Sequence, residues 1–194
     1  PSRKDRGASA GGAAGGAAAG PRNLPRRCEM ARAYIGIGAN LKDPPAQVRD
    51  ALARIAVHPQ MKLTAQSSLY RSAPLGPDGQ ADYCNAVCAV ETALPPEKLL
   101  TALHEIERGM GRERPPQRWA PRLIDLDLLH YEGVSLKTAR LTLPHAEMHK
   151  RNFVLVPLAQ IAPELELPGL GNVRVLANEL GVVGLSRWYD SEQD

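Results

Sequence analysis

The stretch RLIDLDLLHY, residues 122–131, limits the folds open to this chain more than any other. Side chains alternate across a strand, so Ile124, Leu126 and Leu128 would bury one face while Asp125 and Asp127 share the other. The two carboxylates then stand roughly 6.6 Å apart, at about 3.3 Å rise per residue. Like charges on a mostly apolar strand cost stability unless a cation lies between them. The strand therefore belongs to a sheet with one packed face and one face that meets positive charge.

The neighbouring patterns supply the rest of that sheet. ARAYIGIGANL reads as a short strand over residues 32–37 that ends in a Gly-Ile-Gly-Ala-Asn turn. Pro44 and Pro45 open a helix running to Arg54, with Val48, Leu52 and Ile55 on one face. MKLTAQSSLY predicts a second strand, APLGPDGQAD a loop and DYCNAVCAVET a third strand with clean alternation. In PPEKLLTALHEIERGMG, Leu99, Leu100, Leu103 and Ile106 fall at helical spacing before the closing glycines. A basic loop, GRERPPQRWAPR, leads into the Asp-Leu-Asp strand. VSLKTARLTLPH follows a turn at Glu132–Gly133, with Arg140 and Thr142 read onto one strand face. Helices are expected over residues 152–161 and over VRVLANEL. The order is that of an α+β, ferredoxin-like βαββαβ plait, an antiparallel sheet packed with helices in a single domain over residues 31–194.

Residues 1–30 stand apart. Thirteen of residues 7–20 are Gly or Ala, a composition without apolar periodicity, so the segment is expected to be a disordered tail. Met30, just before the ordered pattern, is read as an alternative start of translation. The formal charge of +3 also belongs to this tail. Residues 1–27 hold six basic side chains against Asp5 alone, so the remainder carries a net charge of −2. With aromatics at only 4 %, such a chain is not read as a nucleic-acid binder. No run of eighteen apolar residues marks a membrane span. Cys84 and Cys88 lie roughly 13 Å apart at strand rise, too far for a disulfide. Reduced thiols and a cytoplasmic location are expected, and nothing in the sequence demands more than a monomer.

Several chemistries are excluded by spacing. GIGANL has Leu41 where a dinucleotide fingerprint needs its third glycine, and no GxxxxGK[ST] loop is present. Cysteine and histidine spacing offers no zinc site. The Asp-x-Asp pair remains. Alone it reads as two solvated acids on a half-exposed strand, but Arg112, Arg114, Arg118 and Arg122 precede it closely. Paired carboxylates on a rigid strand are the usual protein share of a magnesium site, completed by phosphates and water. Guanidinium forks fit phosphate oxygens. Trp119, among prolines in that basic loop, suggests a lid over a nucleotide.

Arg118-x-Ala120-Pro121-Arg122-x-x-Asp125-Leu126-Asp127-Leu128-Leu129 resembles the signature of the 6-hydroxymethyl-7,8-dihydropterin pyrophosphokinases. YIGIGANL, SLYRSAPLGPDGQADYCNAV, the Pro-Pro-Glu helix and RLTLPHAEMHKRNFVLVPLAQIAPEL resemble that family in order and spacing, over about residues 32–168. The resemblance implies transfer of the terminal pyrophosphate of ATP to a pterin hydroxymethyl group, releasing AMP, in folate biosynthesis. It makes Asp125 and Asp127 the ligands of two magnesium ions (Mg2+), with Arg112 and Arg122 catalytic beside them. It assigns Ser72, Ala73, Leu75, Tyr83, Asn85 and Phe153 to the pterin. It assigns Glu107, Arg114, Trp119, Leu128, Arg140, Thr142, His145 and Arg151 to ATP. Tyr83 and Asn85 lie two apart and so share a strand face, as a stacking ring and a pairing amide require. Otherwise Tyr83 and Phe153 read as core residues and His145 as a capping histidine. Ala120, Ala146 and His104 depart from the family's commoner residues. The rival readings are a metal-dependent nucleotidyltransferase, which would release pyrophosphate, a ferredoxin-like RNA-binding module and an inactive pterin-binding regulator.

Overall fold

In the computed structural model, the protein is described over residues 30–74, 79–112 and 121–189. Residues 1–29 of the expected disordered tail lie outside these residues, and Met30, its last residue, is exposed. Strand β1 (Ala31–Ala39) is followed by helix α1 (Pro44–Ala56), β2 (Lys62–Gln66), β3 (Tyr70–Ser72), β4 (Tyr83–Thr92) and α2 (Pro96–Gly109). Then come β5 (Asp125–Tyr131), two short strands β6 (Leu136–Lys137) and β7 (Thr142–Leu143), and α3 (Asn152–Ile161). A small hairpin, β8 (Glu166–Leu167) with β9 (Gly171–Asn172), precedes α4 (Val173–Leu180) and β10 (Leu185–Arg187). The main sheet is antiparallel in the order β10-β3-β4-β1-β5, with β2 on the same side of β4 as β3. Counting β2 and β3 as one interrupted strand, this is the strand order of the expected plait.

Alternation decides what each face holds. Ile35 and Ile37 of β1, Ala86 and Val90 of β4, and Leu126 and Leu128 of β5 pack against Val48, Leu52 and Ile55 of α1 and Leu99, Leu103 and Ile106 of α2. Ile124 is buried with them, as its parity with Leu126 demands. The other face carries Tyr34, Val87, Ala89 and Leu129 under Val154, Leu155 and Leu158 of α3 and Val173 and Ala177 of α4. Burying a leucine or isoleucine is worth about 1.5–3 kcal/mol, so each face is held by a substantial apolar layer. Cys84 and Cys88 are buried and in no disulfide among the described residues, and burial pushes the Cys88 thiol up to about 12.

Three elements differ from the sequence reading. β1 does not turn at its glycines but runs on to Ala39, because β4 and β5 pair with it on both sides as far as Gly38. The predicted second strand divides at Ser67. Its Oγ accepts the Val87 N–H at 3.0 Å and donates to the Ser68 carbonyl at 2.8 Å, which ends β2 before β3 resumes. VSLKTARLTLPH likewise divides into β6 and β7. Thr138 Oγ1 accepts the N–H groups of Arg140 (3.2 Å) and Leu141 (3.1 Å), which folds a turn where an extended strand was expected.

β5 also contains a bulge. Its pairing steps from Ile35–Leu128 to Tyr34–His130, so Leu129 is the extra residue. His130 then stacks on Tyr34, with ring centroids 6.1 Å apart. It is 4 % exposed, its Nδ1 has no hydrogen-bond partner among the described residues, and burial holds its pKa below the ordinary histidine value. The folded protein thus keeps His130 neutral, whereas the unfolded chain takes up a proton below about pH 6.5. This contribution to stability is present above that pH and is lost as pH falls through the depressed folded value. His130→Leu is expected to remove that acid-side loss, raising the melting temperature over wild type more at about pH 5.5 than at about pH 7.5. Equal offsets at the two values would show that His130 carries no such linkage.

Candidate active site

α3 covers the second face of the sheet only in part, and beyond it a cavity of about 290 Å³ opens over β1, β4 and β5. Its floor is set by two glycines. Gly38 pairs with Asn85 on one side and Asp125 on the other, and Gly36 pairs with Val87 and Asp127. Asn85, Gly38 and Asp125 thus form one row across three strands, with the outer Cα atoms roughly 10 Å apart at about 4.8 Å per strand. The middle residue contributes no side chain, so a flat ring can lie against the backbone between an amide and a carboxylate. A Cβ on Gly38 would stand 3.4 Å from Asn85 Oδ1, and one on Gly36 would stand 3.3 Å from Leu129 Cδ2. The sequence reading took these glycines for a turn. Their spacing of two inside a strand was the available signal of a close approach on one face.

The walls come from different layers. Tyr83 and Asn85 rise from β4, and Ser72 and Ala73 from the end of β3. Asn85 Nδ2 donates to Ser72 Oγ at 2.9 Å, which leaves the amide oxygen on the Gly38 side. Phe153 of α3 supplies an aromatic wall from the opposite layer. Arg151 is the N-cap residue of the same helix and faces the cavity with no side-chain cap bond. A cation at a helix N-terminus is electrostatically unfavourable, so its position favours an anion in the cavity over helix stability.

The third wall is charged. Arg112 Nη2 donates to Asp125 Oδ1 at 2.9 Å, and Arg122 pairs with Asp125 Oδ2. Arg112 also pairs with Glu107, whose Oε1 accepts the Leu126 N–H at 2.7 Å. Glu107 is 3 % exposed, and burial above all pushes its carboxyl above the usual range. Asp125 is likewise raised, first by burial and then by Asp127, although Arg112 and Arg122 pull it down. Among the described residues the Asp127 carboxylate accepts no hydrogen bond and makes no ion pair, although Arg122 lies within electrostatic reach of it. Two guanidiniums therefore leave the acidic edge short of positive charge. Two oxygen donors on one rigid strand fit a hard divalent cation such as magnesium. Among the described residues no cluster of three or more His, Cys, Asp or Glu offers a metal a fuller set.

Ten of the expected site residues line this one cavity: Ser72, Ala73, Tyr83, Asn85, Arg122, Asp125, Asp127, His145, Arg151 and Phe153. Arg112 reaches it through Asp125, and Glu107 lies beneath. Leu128 does not present its side chain there. Strand alternation buries it on the opposite face. Thr142 lines a second cavity of about 400 Å³, which His145 joins to the first. Burial holds the His145 imidazole below the ordinary histidine value. Arg140 does not share a strand face with Thr142. It sits exposed on the Thr138 turn and lines neither cavity. Leu75, Arg114 and Trp119 lie outside the described residues.

Comparison with known proteins gives a consistent picture. Residues 34–163 match the family described as 7,8-dihydro-6-hydroxymethylpterin-pyrophosphokinase (HPPK). A 2-amino-4-hydroxy-6-hydroxymethyldihydropteridine pyrophosphokinase of Haemophilus influenzae is 48 % identical over 139 residues, covering 72 % of this chain and 86 % of its own. The enzyme of that name from Methylorubrum extorquens is 42 % identical over 158 residues, covering 81 % and 99 %. The crystal structure of Plasmodium falciparum HPPK-DHPS with pterin and p-hydroxybenzoate superposes with a TM-score of 0.65 at 14 % identity, a likeness of fold. It covers 82 % of this chain, which spans 46 % of that longer one. Among the described residues no helix is long and apolar enough to cross a membrane.

Proposed function

The chain belongs to the 7,8-dihydro-6-hydroxymethylpterin-pyrophosphokinase family, and from that membership we infer its reaction. It transfers the terminal pyrophosphate of ATP to the hydroxymethyl group of 6-hydroxymethyl-7,8-dihydropterin, a step of folate biosynthesis. The observation that carries this reading at the level of residues is the Asn85–Gly38–Asp125 row. A flat pterin lying on Gly36 and Gly38 would have Asn85 at one edge and the acids at the other. Phe153 and Tyr83 would hold its ring, and Asn85 Oδ1 would accept from its N–H edge. The second cavity, reached past His145 and bordered by Thr142, suits the nucleoside end of ATP.

The chemistry is displacement at the β-phosphorus. The pterin oxygen forms a bond to that phosphorus, the bond to the oxygen of the α-phosphate breaks, and AMP leaves with the electron pair. Two magnesium ions held by Asp125 and Asp127 would offset phosphate charge and acidify the attacking hydroxyl. Arg112 and Arg122, now paired with Asp125, lie where guanidinium forks can turn to phosphate oxygens. Asp127, or water, takes the hydroxyl proton. The carboxylate lines the cavity, and wild-type turnover in Asp127→Asn would remove it from that role. The remaining work is positioning. We place the catalytic domain over residues 31–194, acting as a monomer in the cytoplasm.

The reading is tested by following ATP consumption with pterin and magnesium each withheld in turn. Consumption is expected only when both are present. Equal consumption without pterin would assign the site to hydrolysis, and pyrophosphate release would assign it to a nucleotidyltransferase.

A further inference from the structure

Asn40 stands immediately after β1 and is 3 % exposed, yet it does not line either cavity. Its backbone N–H donates to the Arg122 carbonyl at 3.1 Å, and its Oδ1 accepts the Arg122 N–H at 2.8 Å. A single residue thereby closes a two-bond ring with the backbone of Arg122. On its other side Nδ2 donates to the Ala81 carbonyl at 3.3 Å and to Gln80 Oε1 at 3.4 Å. A donor on one flank and acceptors on the other allow the amide one orientation only. The two segments it joins matter for different reasons. Arg122 carries the guanidinium paired with Asp125, and Ala81 stands two residues before Tyr83 in the cavity wall.

We propose that Asn40 is a positioning residue for the transfer reaction. It clamps the backbone of Arg122 on the phosphate side and the segment before Tyr83 on the pterin side to the end of β1. Each half of the amide serves one side, so the two halves can be separated by substitution. Asn40→Ala removes both. A phosphate-side group displaced by about 1 Å costs on the order of 10²-fold in rate, so kcat falls by up to that factor. Asn40→Asp retains an acceptor for the Arg122 N–H but sets a carboxylate oxygen against the Ala81 carbonyl. Its pterin KM rises about tenfold, the loss of one interaction worth ~1.4 kcal/mol. Its kcat stays within about threefold of wild type.

The rates rest on the pyrophosphokinase reading, but the clamp itself does not. Hydrogen exchange of the Arg122 amide reads it without any turnover. Exchange is expected to accelerate in Asn40→Ala and stay near wild type in Asn40→Asp. If wild type fails to transfer pyrophosphate, the functional reading falls, and the exchange data still judge the clamp. If wild type is active while Asn40→Ala keeps its kcat and KM, the proposal is overturned. Should Asn40→Ala not fold, the kcat-against-KM split in Asn40→Asp decides. A selective rise in pterin KM supports the role, and a uniform loss or no change refutes it.

Discussion

Asp127→Ala is expected to lower turnover by about 10²–10³-fold, the size of effect attached to removing a preorganised stabilising partner of the reacting groups. The melting temperature should stay level or rise. Asp127 faces the cavity with no hydrogen bond or ion pair to its carboxylate among the described residues, and it pushes the carboxyl of Asp125 upward. Removing it relieves a repulsion and breaks no bond of the fold. Asp125→Ala should be equally inactive but less stable, since it leaves the guanidiniums of Arg112 and Arg122 side by side without their shared carboxylate. Turnover assays and thermal melts of the two variants separate these effects. A collapsed melt for Asp127→Ala would make it a structural residue, and wild-type turnover would take it out of the chemistry. Because Asp125 is raised in the folded protein, its ionisation costs stability as pH climbs through that raised value, and binding of the proposed cation is expected to strengthen over the same window.

The second large effect is expected for Arg112→Ala, and it joins stability to rate. Arg112 bridges Glu107 and Asp125, and Glu107 is buried while also holding the Leu126 N–H at the head of β5. Taking the guanidinium away leaves a buried carboxyl without its cation, a change that costs about 3 kcal/mol. In the proposed reaction the same substitution would remove a fork beside the phosphates, so the chemical step should slow on the order of 10²-fold. Arg112 does not line the pterin cavity, so pterin affinity should change little. Urea denaturation reads the first effect, and single-turnover kinetics with pterin titration read the second. Arg112→Lys keeps a charge but not the fork that meets two carboxyls, and should recover little of either. Unchanged single-turnover rates in Arg112→Ala would remove it from the site.

The elements with strong local patterns were legible in the sequence. α3 and α4 begin and end where apolar spacing and turn residues place them, over residues 152–161 and 173–180. The opposed faces of Asp125–Asp127 and Ile124–Leu126–Leu128 follow from strand parity alone. What escaped the reading was decided by partners distant in sequence. β1 continues through its glycines because two strands pair with it, and β10 joins the sheet edge beside β3. Three residues of LSR carry no local signal of that pairing. The sequence places Arg140 on a strand face with Thr142, but the Thr138 hydroxyl gathers two backbone N–H groups and turns the chain there. Asp125, Asp127 and the arginine beside them were legible in their own motif, whereas the residues on the pterin side came only from the family resemblance. The glycine floor and the Asn40 clamp were not legible, since both work through backbone contacts with strands and loops far along the chain.

The most direct test is phosphorus-31 NMR of the protein with ATP, magnesium and 6-hydroxymethyl-7,8-dihydropterin. Equal growth of AMP and a pterin diphosphate, with no ADP, is the predicted result. Formation of ADP, or of free pyrophosphate with a nucleotidylated pterin, would contradict pyrophosphoryl transfer at this site.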